Sequence, residues 1–226
     1  MSIAQWKNKF DFQRLHRFLR SLLYAEDVDY SQFESKLDGT DIATFRENDK
    51  AFRLFGTNVH VKAGAYIACI IGLIVTMVYV VVYSFFHYRG MGRNPFIDHL
   101  ELVDLIFAIL LGIPCHFMLF YGLRAGKSIW FSPFLIFYTT NFVLNIVFTI
   151  LTLSAFGLDI HRKIFGNVRF DLGWTLFQIL FTSSQGLAIY VVIKARRYVN
   201  AKDFWRQKSQ EVRKISKKTT TIKSIF

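Results

Sequence analysis

The residues of this chain best suited to chemistry are polar groups set inside long apolar runs. Asp104 follows Glu101 by three positions near the start of one run, Asn141 and Asn145 stand four apart in the next, and Gln178, Thr182 and Gln185 stand at i, i+4 and i+7 in the last. Spacings of three, four and seven put side chains on one face of a helix, so each set is a single stripe. A polar side chain in hydrocarbon is costly unless it faces a bundle interior or a wet cavity, and both amide stripes are therefore expected to turn inward. Counted from the outer ends of the runs, Asp104, Asn145 and Gln178 form a shallower tier, while Asn141 and Gln185 lie near mid-membrane. Such a seam could carry a small polar solute or protons. It could equally be hydrogen-bond glue between helices, at about 0.6 kcal/mol per contact. The amides lack a basic partner, which favours glue. His116, two residues after Pro114, is read as a bonded interior histidine, and Pro114 as the cause of a kink.

Other chemistry finds little support. One buried acid, scattered histidines and two cysteines, Cys69 and Cys115, make neither a metal set nor a nucleophile with its base. Gly90-Met91-Gly92 lacks the flanking strand and helix of a phosphate loop. No enzyme activity, cofactor or metal is expected.

The elements that must position the stripes are the runs themselves: 64–86, 100–123, 129–156 and 172–193. Each exceeds the roughly 20 residues that cross a hydrocarbon core as a helix. An unpaired backbone group in lipid costs several kcal/mol, so each run must close its own hydrogen bonds, and the short alternating strands of a barrel are missing. The reading is an all-α integral membrane protein with four transmembrane helices. Composition agrees: 53% hydrophobic against 19% charged, with 3 Pro, leaves no room for a disordered or collagen-like chain. Four spans place both ends and the second connection on one side, which then holds 23 of the 28 Lys and Arg, so the N- and C-termini are expected in the cytosol. Both cysteines fall inside spans and no Asn-x-Ser/Thr sequon occurs. Outer loops stapled by disulfides, as in tetraspanin-like or claudin-like proteins, are thereby excluded.

Four sections follow. Residues 1–23 alternate apolar and basic side chains at helical spacing without an unbroken apolar core, so the expectation is a basic amphipathic helix and no cleavable signal peptide. It would lie in the headgroup layer, or pack on cytosolic loops or a partner. Residues 24–60 hold eight acidic residues and read as a polar linker. Within it Tyr30-Ser31-Gln32-Phe33 has the form of an endocytic and lysosomal sorting signal, Tyr30 and Phe33 being its anchors. Residues 61–195 form the bundle. Residues 196–226 are a polybasic tail, and from Lys194 onward 11 cations face only Asp203 and Glu211. Directly after a span such charge meets the anionic leaflet, at about 1 kcal/mol per cation, so anionic lipid and not nucleic acid is the expected partner. Ser209, Ser216 and Thr219 to Thr221 among those cations offer an electrostatic phosphorylation switch.

The approach to the first span reads Phe55-Gly56-Thr57-Asn58-Val59-His60-Val61-Lys62-Ala63-Gly64. The string from His60 through Lys62 to Gly64, with four spans, cytosolic ends and overall length, resembles the lysosome-associated four-span transmembrane (LAPTM) family, and the chain is identified as a divergent relative. Thr57 and Asn58 stand where that family has a Cys-Cys pair. The resemblance implies endosomal or lysosomal membrane and a role in trafficking or stability of other membrane proteins, or in small-solute handling. The function expected is a non-enzymatic adaptor or regulator that binds other membrane proteins and anionic lipid. The alternative is a transporter or permeability factor using the polar seam, and a third reading is a structural homo-oligomer.

Overall fold

A computed structural model describes residues 28–36, 43–88, 99, 102–103, 105–157 and 172–223. The expected amphipathic helix at 1–23, Asp104 with Glu101, and both outer connections lie outside the described residues. The chain is mostly helical, and three helices among the described residues are long and apolar enough to cross a membrane: Val61–Phe85, Leu105–Ala125 and Ser128–Gly157. Their ends fall within a few residues of the apolar runs wherever the ends are described, and His99, Leu102 and Val103, ahead of Leu105, are helical too.

Helix α1, Val61–Tyr88, packs against α2, the helical stretch Leu105–Ala125, and against α4, Leu172–Lys223; α3, Ser132–Gly157, packs against α2 and α4. The four thus close a ring. The core filling it is aliphatic and aromatic, with Val61, Ala65, Leu119, Leu123, Phe131, Phe134, Leu135 and Val192 all sealed from the exterior. Outward, α1 presents Ile67, Ile70, Ile71, Ile74, Val78 and Val81. A helix apolar on every side belongs in lipid or against another helix.

Helix α2 departs from the α-helical pattern just ahead of Pro114. Residues Ala108–Gly112 form a π turn, in which Ile113 N–H donates to Ala108 O, five residues back. Pro114, which has no N–H to donate, follows this turn directly, and the dihedrals stay right-handed helical through Gly112 and Ile113. Gly126, at φ 68°, ends the segment Ile113–Ala125 in the left-handed conformation, and both Gly126 and Lys127 donate to Gly122 O. A 3-10 turn, Ser128–Phe131, then leads straight into α3.

Helix α4 runs unbroken for 52 residues, about 78 Å at 1.5 Å per residue. Nothing after Ile193 interrupts it, because the tail up to Lys223 has neither Gly nor Pro. Its inward stripe also outlasts the apolar run: Gln185, Ile189 and Val192 continue into Ala195, Val199 and Trp205.

That extension explains a departure from the expected polar linker. The described part of 24–60 carries a 3-10 turn Tyr30–Phe33, strands β1, Glu34–Lys36, and β2, Ala43–Phe45, paired antiparallel with Ser35 opposite Thr44, and a second 3-10 turn, Lys50–Phe52. Asp29 and Asp49 cap the two turns, accepting from Ser31 and Ala51 N–H at 2.9 Å each. Part of the acidity therefore serves local structure. Aromatic residues between the acids form a cap on α4: Phe52 meets Phe33 at 4.7 Å, Phe45 at 5.6 Å and Tyr198 at 5.2 Å between ring centroids.

Candidate functional site

The polar stripes come together at one point. Asn145 on α3 donates from Nδ2 to Oε1 of Gln185 on α4 at 2.9 Å, tying the two helices across the bundle. Gln178, Thr182 and Gln185 are all buried on one face of α4, while Asn141 and Asn145 are half-buried. Thr182 is spent locally, donating to Gln178 O at 2.8 Å. Gln178 Oε1 is buried with no hydrogen-bond partner among the described residues. Asp104, the sixth member expected in this seam, lies outside the described residues. Phe142, Ile146, Thr182 and Gly186 help line an open, nearly apolar groove of about 350 Å³ between α3 and α4.

A second polar node lies deeper in the packing, where the sequence suggested only a bonded histidine. His116, 1% exposed, has Nδ1 at 2.6 Å from Gly112 O and Nε2 at 2.9 Å from the Tyr138 hydroxyl. A carbonyl only accepts, so Nδ1 carries the proton and Tyr138 O–H donates to Nε2. The neutral ring is thus satisfied at both ends. Phe134 stacks on Tyr138 at 4.0 Å and meets His116 edge-on at 5.3 Å, while Cys69 Sγ donates to His116 O at 3.2 Å. Gly72 of α1 lies against this pair: a Cβ there would collide with both Tyr138 Oη and His116 Nε2. The node links three helices through Gly72, His116 and Tyr138, and His116 gives one bond to Gly112 O in the π turn of its own helix.

The third constellation is the cap. His60 precedes α1, and its Nδ1 accepts from Lys62 N–H at 3.2 Å, the geometry of a side chain capping a helix start. Its ring stands edge-on to Tyr198 at 4.6 Å. Burial pushes the His60 pKa below its ordinary value, with Lys62 and Lys202 acting in the same direction and the Glu47 carbonyl and carboxylate opposing. Gly64, one turn on, lets Leu54 pack against the helix; a Cβ there would collide with the Leu54 side chain. The loop before them is a tight reversal, with Leu54 N–H to Val59 O at 3.0 Å, Thr57 N–H to Leu54 O at 2.8 Å, and Phe55 and Gly56 both at positive φ. His60 and Gly64, two of the three residues that carry the family resemblance, thus fix the cap to the bundle.

Tyr30 and Phe33, the anchors of the sorting pattern, are part of the same cap. Trp205 Nε1 donates to Tyr30 O at 2.9 Å, the Tyr30 hydroxyl is buried, and Phe33 packs on Phe52. Lys202 reaches Glu47 at 2.6 Å, a bond that raises the lysine pKa, yet both side chains are about half exposed. Exposed pairs contribute at most about 1 kcal/mol, so the aromatic contacts dominate. The sequence signal for the cap was present: Phe33, Phe45 and Phe52 in the acidic stretch, and Tyr198, Ala201 and Trp205 at helical spacing in the basic one.

Among the described residues no group of three or more His, Cys, Asp or Glu is placed to hold a metal ion, and Cys69 and Cys115 are free, buried thiols. No family model, curated protein or solved structure matches this chain.

Proposed function

We propose that the protein is a non-enzymatic, multi-pass endomembrane adaptor or regulator that binds other membrane proteins and holds its cap and basic helix in the cytosol. In this reading residues 172–193 of α4 are a fourth span, and the excess of Lys and Arg at both ends sets their orientation. The observation that carries the proposal is the Asn145–Gln185 bond. Two amides bonded to each other across a helix pair act as glue, whereas a conduction path would present them to a lumen. The broad aliphatic face of α1 supplies the surface that a partner helix would cover. Endosomal or lysosomal membrane is the proposed location, on the strength of the LAPTM-like string His60, Lys62, Gly64 and of the Tyr30–Phe33 pattern.

Two measurements test this. Purified protein in sealed vesicles is expected to give no flux of small polar solutes, and Asp104→Asn to change nothing. Photo-cross-linkers at Ile71 and Ile74, in cells, are expected to give discrete adducts with a different membrane protein. Flux that Asp104→Asn abolishes would establish the transporter reading instead, for which the unmet Gln178 Oε1 is the structural support. Adducts of the chain with itself alone would establish a homo-oligomer.

A further inference from the structure

Where the cap meets α4 there is a cleft of about 450 Å³, within the range of small-molecule sites. One wall comes from α4 through Lys194 and Arg197; the other comes from the cap through Tyr30, Gln32 and Asp49, and Phe33 and Phe52 form apolar sides. Arg196, which lies between Lys194 and Arg197 in sequence, is 7% exposed. Among the described residues the lining holds one acid, Asp49, whose Oδ1 caps Ala51 N–H at 2.9 Å and whose Oδ2 lies 3.7 Å from Arg46 Nη1; of the cations, Lys194 keeps its Nζ 5.1 Å from the centroid of the Tyr190 ring at the cleft's edge. The Tyr30 hydroxyl is buried and has no hydrogen-bond partner among the described residues.

Depth selects the ligand. Lys194 and Arg197 stand one and four residues past Ile193, the last of the apolar run, which is about 1.5 to 6 Å along the helix. That is the level of lipid phosphates, where juxtamembrane cations are attracted to anionic headgroups. We propose that this cleft is a specific site for the headgroup of an anionic phospholipid of the cytosolic leaflet, its phosphate held by Lys194 and Arg197. The proposal deepens the lipid-binding part of the adaptor reading, and it rests on α4 crossing the bilayer with Lys194 at the cytosolic face. It differs from diffuse attraction to the tail because the site is walled on both sides by folded chain.

The test uses the full-length chain in detergent, titrated with short-chain phosphatidylserine and followed by native mass spectrometry, with phosphatidylcholine as the neutral control. One phosphatidylserine retained per chain is expected. The double exchange Lys194→Gln with Arg197→Gln is expected to weaken retention about tenfold or more. Lys194→Arg with Arg197→Lys is expected to restore it, which separates charge from misfolding. Neutralising Lys214, Lys217 and Lys218 is expected to leave retention in place. The proposal is overturned if only the tail exchange removes lipid, if the Gln pair binds like the parent, or if inorganic phosphate displaces the lipid at equal concentration, which would make this a phosphate site. Cross-linking at Ile71 reads the adaptor role independently, so either reading can fail while the other stands.

Discussion

At Gly72 a single methyl decides whether His116 keeps its partner. Alanine is the better helix former by about 1 kcal/mol, but here its Cβ would strike Tyr138 Oη and His116 Nε2 together. Overpacking of that kind typically costs 1–3 kcal/mol, so Gly72→Ala is expected to lower thermal stability in detergent despite its propensity gain. Tyr138→Phe deletes the donor and strands Nε2, at an expected cost of about 1–2 kcal/mol. If a thermal melt of either variant matched the parent, the node would have no structural weight. Little of this arrangement was legible in the sequence. Asn145 and Gln185 announced themselves as amides in apolar runs, and their stripes followed from spacing. Tyr138 and Gly72, by contrast, look ordinary in a span, and what pairs them with His116 is a three-helix packing that one-dimensional periodicity does not encode.

The cap is where element-scale physics outweighs composition. Eight acids made residues 24–60 read as a linker, yet three phenylalanines suffice to dock the described part on a helix that itself read as a tail. Phe52, 3% exposed, is the keystone, and Phe52→Ala is expected to cost cap docking about 3–5 kcal/mol, seen as faster hydrogen exchange across 43–60. Lys202→Ala removes a half-exposed ion pair and is expected to change the same exchange by less than about 1 kcal/mol. His60 gives the cap a pH dependence. Its folded pKa is lowered, so the unfolded chain binds the proton first; stability is present above the ordinary value near 6.5 and is lost as pH falls through the folded pKa. A cation at Nδ1 could no longer accept from Lys62 N–H. The melting temperature is expected to drop between pH 7.5 and 5.5, and the drop to shrink in His60→Asn, which can still cap the helix. An unchanged pH response in that variant would assign the effect to other groups.

At the scale of the molecule, three apolar runs appear among the described residues as helices able to cross a membrane, and these could be drawn from run length alone because lipid leaves a helix as the only way to close backbone hydrogen bonds. Less legible was how far α4 extends: a run-length reading stops at Ile193, whereas the inward stripe and the lack of any helix breaker carry it on to support the cap. The rest of the account, adaptor role and lipid cleft alike, depends on the cap, α4 and the bilayer sharing one geometry. The most direct test is reagent access in cells whose plasma membrane alone is permeabilised, with small tags at residue 1, within 158–171 and after residue 226. The account predicts that both end tags are reached and the middle tag is reached only after detergent opens the internal membranes. An end tag that stays shielded, or a middle tag that is freely labelled, would contradict it.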